Sequence, residues 1–129
     1  FRCKICPDAI GESSDIAALD TWRGGSPKGE DEGINAAMIR TKKGIEVFKE
    51  AVESGYLHQG DKLNIDDIKD FQPHQTNKKK AVFARHLGMR KNDLPSIETK
   101  NLRIEELYNL NDDEFNKQQE EGTSKRIGN

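Results

Sequence analysis

The clearest indication of the fold is the stretch Gly33-Ile-Asn-Ala-Ala-Met-Ile-Arg-Thr41, together with residues 42–55, which follow directly. In the first stretch apolar side chains fall on both faces of an extended backbone, which predicts a strand that is buried on both sides. Thr41 is a good N-cap, and apolar residues then recur at helical spacing with charged residues on the opposite side. Gly55 is a natural helix stop. The sequence therefore predicts a strand joined directly to an amphipathic helix that runs to about Ser54.

The rest of the chain is predicted to alternate short elements with polar loops. In chain order we expect a loop over 1–14, a strand over 15–22, a glycine-rich loop over 23–33, one or two short strands over 56–65, a helix over 73–88, a short helix over 102–108, and a polar helix that Asp112 or Asp113 caps and Gly122 ends. Residues 123–129 are expected to be a tail. These elements predict an α/β domain, or an α+β domain, in which three or four helices pack on a small mixed sheet.

Length and composition limit the class of protein. A chain of 129 residues is expected to form one domain, 1–129. Charged residues (34%) slightly outnumber hydrophobic residues (33%), which is polar for a globular domain and indicates a surface that packs on something else. The net charge of −2 gives no electrostatic reason to expect nucleic acid as a partner.

Targeting signals and common enzyme signatures are both missing from the sequence. No apolar run approaches the ~20 residues of a membrane span and no signal peptide is visible, so we expect a cytoplasmic protein with no membrane span. There is no nucleophile elbow, no P-loop and no G-x-G-x-x-G, so hydrolase and kinase activities have no support. Because the chain begins at Phe1, we expect it to be a fragment. We expect one of its partners to be the upstream part of the same chain.

The two cysteines lie close together in Cys3-Lys4-Ile5-Cys6-Pro7-Asp8. Two thiolates at C-x-x-C spacing can hold one edge of a metal or iron–sulfur site, and Pro after the second Cys is typical of iron–sulfur ligand runs. The remaining ligands must lie elsewhere, because the chain has no other cysteine and its three histidines are scattered. Two free thiols in a loop, or a disulfide that closes a very short loop, stay open as alternatives.

A second candidate site lies at Arg40-Thr41-Lys42-Lys43-Gly44, where the predicted strand ends and the helix begins. Free backbone N–H groups and the positive end of the helix dipole meet there. Lysines in a first turn are unfavourable for the helix itself, so an anionic partner such as a phosphate or pyrophosphate is a reasonable hypothesis. The alternative is an ordinary N-cap with solvated lysines.

A third feature is the basic stretch that starts at Lys78-Lys79-Lys80 and continues through Arg85, Arg90 and Lys91. The usual interpretation of such a stretch is a solvated face. The second interpretation is a surface that docks an acidic partner protein. Nucleic acid is a distant third, because no aromatic residues are interleaved with the charges.

The order of these motifs resembles a known family. The run C-x-x-C-P-D, then Ser14-Asp15-Ile16, then Asp20, then a loop and a strand that ends Ile39-Arg40-Thr41-x-x-Gly44, is similar to the C-terminal domain of the beta subunit in the deazaflavin coenzyme (F-420) hydrogenase/dehydrogenase family. Asp70-Phe71-Gln72-Pro73-His74-Gln75 looks like bacterial members of the same family. The resemblance covers nearly the whole chain and is weakest after about Asn111.

The resemblance implies a flavin- and iron–sulfur-dependent oxidoreductase subunit. Such a subunit passes electrons between 4Fe-4S clusters, FAD and a two-electron partner such as coenzyme F-420. Cys3 and Cys6 would be cluster ligands. The residues implied on the FAD side are Asp15, Ile16, Asp20, Arg40, Thr41, Lys43 and Gly44. Residues upstream of the fragment would complete both sites, so the isolated fragment is expected to be inactive, and no catalytic acid or base is assigned.

Two alternatives from other classes stay open. The chain could be a non-catalytic module that docks an electron-transfer partner through residues 78–91, or a small structural domain that binds zinc through its cysteines. The first predicts that charge reversal over 78–91 abolishes complex formation without changing flavin content. The second predicts a colourless protein whose first residues unfold when zinc is removed.

Overall fold

The structure, a computed structural model, describes residues 2–27, 29 and 33–128. Its helices and strands are α1 Arg2–Ile5, β1 Ile16–Asp20, β2 Asn35–Ile39, α2 Lys42–Glu53, α3 Ile68–Phe71, α4 Pro73–Arg90, α5 Ile104–Leu110 and α6 Asp113–Ile127. Single 3-10 turns form at Arg23–Gly25 and Ile65–Asp67. The mixture of helices with a strand pair confirms the predicted fold class. Part of the predicted loop over 23–33 lies outside the described residues.

The chain forms two compact units. The first, which we call the helical unit, contains Phe1–Ala9 and Asn77–Asn129. The second, the sheet unit, contains Ile10–Thr76. The prediction of a single domain over 1–129 stays a prediction.

The sheet unit is built on an antiparallel pair of strands, smaller than the mixed sheet that was expected. Ile16 pairs with Ile39 at one end and Asp20 with Asn35 at the other. Both predicted strands are confirmed, but the predicted burial of both faces of β2 is wrong. No residue of this strand is fully buried, and Ile34 just before it is 73% exposed. A short apolar run does not reveal how much protein covers it, because many apolar side chains of folded proteins stay at the surface.

Helix α2 follows the sheet as predicted. Thr41 is its N-cap, Ser54 its C-cap, and Gly55 takes the left-handed φ of 75° that ends many helices. The strands predicted within 56–65 are not formed, and this prediction is wrong. Residues 57–64 have no regular secondary structure. A strand needs a neighbour for its backbone hydrogen bonds, and no strand in the described part of the sheet unit pairs with them.

The helical unit has its core along α4. Val82 and His86 are the largest fully buried side chains, and Ala81, Ala84 and Ile104 are buried in the same unit. Phe83 of α4 stacks at an angle on Tyr108 of α5, with ring centroids 5.1 Å apart. Helices α4 and α6 approach so closely at Gly88 that a Cβ there would lie 2.3 Å from the carbonyl oxygen of Glu120.

Two segments of the helical unit are more helical than the sequence suggested. Helix α1 forms within the predicted loop 1–14. Helix α6 does not stop at Gly122 but continues to Ile127, so residues 123–127 are not a tail. A glycine inside a helix costs about 1 kcal/mol relative to alanine, and packing outweighs that cost here, since Thr123 directly after it is only 7% exposed. None of the described helices is long and apolar enough to cross a membrane.

Candidate functional site

The strand–helix junction of the sheet unit brings most of the predicted site residues together. The antiparallel register places Ile16 opposite Ile39, so the residues just outside this pair, Asp15 and Arg40, meet at the same end of the sheet. The Arg40 amide donates to the Asp15 carbonyl oxygen at 2.9 Å. The family resemblance implied both residues on the FAD side, and strand pairing is what joins them.

Thr41 connects the helix to the strand through its hydroxyl group. Its Oγ1 donates to Asp15 Oδ1 at 2.5 Å and accepts from the Gly44 amide at 3.0 Å. The second bond satisfies one of the free N–H groups in the first turn of α2. An ordinary N-cap is therefore present, whatever else this junction binds.

Gly44 is buried at this junction, and its role is close packing. A Cβ at this position would lie 2.7 Å from the carbonyl oxygen of Asp15, which is closer than side-chain carbon atoms come to backbone oxygen. Only glycine lets the first turn of α2 lie against the start of β1. The glycine that the family resemblance singled out thus fixes the distance between the helix N-terminus and Asp15.

The guanidinium group of Arg40 is only partly satisfied. Its Nη2 donates to the Ile10 carbonyl oxygen at 2.9 Å, which ties the loop before β1 to the end of β2. Its Nη1 is buried and has no hydrogen-bond partner among the described residues. Buried polar atoms are normally paired, and a cationic donor forms its strongest hydrogen bonds with carboxylates and phosphates. This donor therefore fits an anionic group.

The other candidates of the junction differ in position. Lys43 is exposed, with its Nζ 3.8 Å from Glu46 Oε2. It can therefore contribute positive charge at the solvent-exposed edge of the junction, which we call the rim. Asp20 lies at the far end of β1, opposite Asn35, and is not brought to Arg40. The structure groups Asp15, Ile16, Arg40, Thr41 and Gly44, adds Lys43 at the rim, and leaves Asp20 apart.

Asp20 instead lies beside a second cluster that the sequence did not reveal. Its carbonyl oxygen accepts from Gln72 Nε2 at 3.1 Å. Asp70 accepts from Arg23 Nη1 at 2.9 Å and from the Gly24 amide at 3.1 Å, and the Arg23 guanidinium lies 5.5 Å from the centre of the Phe71 ring. The stretch 70–75, which the sequence marks only by its resemblance, thus holds the turn after β1. No local pattern marks the Arg23–Asp70 pair, since 47 positions separate the two residues.

Residues 3–8, which we call the cysteine segment, lie in the helical unit. Cys3 is exposed within α1, Cys6 is half-buried, and both are free thiols. Cys6 Sγ lies 3.5 Å from the Asp8 carbonyl oxygen. Within the described residues no three His, Cys, Asp or Glu side chains form a group that could hold a metal ion. The chemistry of the two thiols fits one half of a four-thiolate site.

Three side chains of α4 hold the backbone of this segment. Lys79 Nζ donates to the Pro7 carbonyl oxygen at 3.2 Å and Arg85 Nη1 donates to that of Lys4 at 2.8 Å. His86 Nε2 lies 2.8 Å from the Ile5 carbonyl oxygen. Because a carbonyl group only accepts, the imidazole is the donor.

These contacts correct the interpretation of the basic stretch as a solvated face. Lys79 is buried, and Arg85 is half-buried and donates to Gln119 as well as to the Lys4 carbonyl group. Lys91 is exposed but binds Glu120 at 2.6 Å. Two of the six cations in the stretch, Lys79 and Arg85, therefore organise the helical unit itself.

The sheet unit thus carries a cationic strand–helix junction, and the helical unit carries a Cys-x-x-Cys segment. Residues 1–64 match the family described as the C terminus of the coenzyme F420 hydrogenase/dehydrogenase beta subunit. The predicted resemblance is confirmed over these residues, which are just under half of the chain, and the match indicates a domain of a redox-enzyme subunit. The stretch 70–75 lies beyond the matched region. Neither the curated proteins nor the solved structures contain a match to the chain.

Proposed function

We propose that this chain is part of a flavin- and iron–sulfur-dependent oxidoreductase subunit. The subunit passes electrons between 4Fe-4S clusters, FAD and a two-electron partner such as coenzyme F-420. The family match over residues 1–64 supports the redox role. The observation that carries the assignment of a cofactor site is the buried, unpaired Nη1 of Arg40, the residue directly before the N-cap of α2.

Arg40 is the residue that would bind the FAD pyrophosphate. The geometry favours it because Nη2 is already fixed on the Ile10 carbonyl group, which orients the guanidinium group without using Nη1. Lys43 would add positive charge, and Thr41 and Gly44 would keep the helix N-terminus in place. FAD, when bound, would supply the chemistry that converts two-electron hydride transfer into single-electron transfer. The protein's own part is to bind and orient it.

Cys3 and Cys6 would supply two thiolate ligands of a 4Fe-4S cluster. Other parts of the subunit would complete both sites. The contacts from α4 to the Lys4, Ile5 and Pro7 carbonyl groups support this role, since they fix the backbone on which both thiols are carried. A zinc site and a docking surface over 78–91 remain the alternatives.

The test replaces Arg40 by Gln in the complete subunit polypeptide that contains this chain, which we call the parent. FAD affinity should fall about 10-fold or more, because a hydrogen bond to a charged group contributes about 1.5–3 kcal/mol. FAD per polypeptide is measured by absorbance after gel filtration, and affinity by quenching of flavin fluorescence. Lys49→Gln removes a positive charge from an exposed position of α2 and serves as the matched control.

Two outcomes would contradict the proposal. Equal flavin occupancy in Arg40→Gln and the parent would remove Arg40 from the site. A parent polypeptide that is folded and colourless, with neither flavin nor iron, would remove the redox function and leave the zinc or docking alternative. Replacement of Cys3 and Cys6 by Ala should lower the iron content while leaving FAD affinity at the Arg40 site unchanged.

A further inference from the structure

A cavity of about 210 Å³ lies within the helical unit. Lys4 of α1 and Arg85 of α4 line one part of it, and Gln119, Gly122, Thr123 and Arg126 of α6 line another. The space beside Gly122 is open, since a Cβ at this position would meet no atom within 4 Å. The cavity thus borders the same α1 segment that carries Cys3 and leads to Cys6.

The lining of the cavity is strongly positive. Lys4, Arg85 and Arg126 are cations, and none of the described residues that line it carries a carboxylate. The neighbouring carboxylates of α6 are engaged elsewhere. Glu120 binds Lys91 at 2.6 Å, and Glu121 lies 4.0 Å from both Lys117 and Lys125.

Among the described residues, Arg85 donates to neutral acceptors. Its Nε and Nη2 donate to Gln119 Oε1 at 3.0 and 2.8 Å, and its Nη1 donates to the Lys4 carbonyl oxygen. Burial first, and then the like charge of Arg126, lower the pKa of Arg85. The two guanidinium groups therefore repel each other, and a bound anion would relieve that repulsion.

The size of the cavity limits what it can hold. Sites for drug-sized ligands and cofactors usually have about 300–1,000 Å³. A cavity of about 210 Å³ suits a phosphate ion or a small carboxylate rather than a nucleotide or a flavin. Guanidinium groups pair with both kinds of oxyanion through paired N–H donors.

We propose that this cavity is a binding site for a small oxyanion, either phosphate or a compact carboxylate, and that Arg85 and Arg126 hold it with help from Lys4. The site is independent of the proposed redox function, since two of these three residues lie outside the matched residues 1–64. Its ligand would contact the helix that carries Cys3, so occupancy is linked to the cysteine segment through Lys4 and Arg85.

The test is isothermal titration of the 129-residue chain with sodium phosphate and with sodium citrate, at constant ionic strength maintained with sodium chloride. One of the two anions should bind with a dissociation constant of about 1 mM or tighter, and Arg126→Gln should weaken that binding about 10-fold or more, as expected for loss of a charge-assisted hydrogen bond. Lys125→Gln removes the neighbouring positive charge, which is not part of the lining, and should leave binding unchanged. Amide chemical shifts of Lys4 and Thr123 should move on titration.

Three results would overturn the proposal. The first is that neither anion binds the unmodified chain. The second is that Arg126→Gln and Lys125→Gln weaken binding equally, which would indicate unspecific screening of surface charge. The third is a binding event that leaves the Lys4 and Thr123 amides unshifted, which places the anion elsewhere. Which of the two anions binds more tightly distinguishes a phosphate site from a carboxylate site.

Discussion

At the scale of single residues, glycines decide how closely elements approach. Gly44 lets α2 lie against Asp15, and Gly88 lets α4 lie against α6. In both cases the atom that a Cβ would meet is a backbone oxygen, which cannot move aside as a flexible side chain can. Gly122 is the opposite case, because a Cβ there would meet no atom within 4 Å.

Gly88→Ala and Gly122→Ala should therefore have opposite effects on stability. Gly88→Ala places a Cβ 2.3 Å from the Glu120 carbonyl oxygen and should lower the free energy of unfolding by about 1–3 kcal/mol, as overpacked substitutions do. Gly122→Ala gains helix propensity without a clash and should raise it by about 0.5–1 kcal/mol. Urea denaturation followed by circular dichroism measures both. Destabilisation by both substitutions, to a similar extent, would show that the close approach of α4 to α6 is not what Gly88 provides.

At the scale of elements, α2 depends on its cap more than on its apolar face. Ile45 and Val47 of this helix are each 45% exposed, so the helix buries little of its apolar surface in the described protein. Its N-terminus, in contrast, is fixed at three points, through the Thr41 hydroxyl, the Arg40 guanidinium and the Gly44 contact. The position of the helix start, on which the candidate anion site depends, is thereby set.

Thr41→Ala should destabilise the protein, while Thr41→Ser should not. Alanine removes both the bond to the Gly44 amide and the bond to Asp15, and loss of an N-cap costs about 0.5–2 kcal/mol. Serine retains the hydroxyl group that makes both bonds. Thermal or urea unfolding of the three proteins is the measurement. Equal loss in both variants would assign the effect to the Thr41 methyl group rather than to the cap.

At the scale of the whole molecule, the cysteine segment depends on residues far along the chain. His86, which is 2% exposed, donates to the Ile5 carbonyl group from a position 81 residues later. Arg85 does the same for Lys4. The region that carries the C-x-x-C motif is thus organised by a helix that lies outside the family match.

His86→Ala should loosen this segment. The half-buried Ile5 carbonyl group loses its donor, a hydrogen bond that contributes about 0.5–1.5 kcal/mol, and alkylation of Cys6 by iodoacetamide should become faster. Mass spectrometry of the modified peptide gives the rate. His86→Gln retains an N–H donor and should recover part of the protection, and His58→Ala, at an exposed position, should change nothing. Circular dichroism of each variant separates local loosening from unfolding of the helical unit.

An unchanged alkylation rate in folded His86→Ala would contradict this account. It would mean that Lys79 and Arg85 hold the segment without the imidazole. The same measurement on Arg126→Gln is a useful comparison, since Arg126 lines the cavity but makes no hydrogen bond to the cysteine segment in the described structure.

The elements that could be predicted from the sequence are those whose signals are local. An apolar strand, a capping threonine and a glycine stop lie within residues 33–55, and the structure has β2 and α2 there. The family resemblance also rests on short motifs in order along the chain, and it is confirmed over 1–64. Such features are readable because each depends on neighbours a few residues away, through backbone propensity and side-chain spacing.

Tertiary structure alone decided the rest. Strand pairing brought Asp15 to Arg40 and left Asp20 at the other end. Packing carried α6 through Gly122 and left residues 57–64 without a strand partner in the described sheet unit. Helix α4 supplied donors to the cysteine segment and a positive cavity beside it. These outcomes depend on contacts between residues tens of positions apart. Such contacts stabilise the protein only once the chain is folded, so no local sequence pattern predicts them.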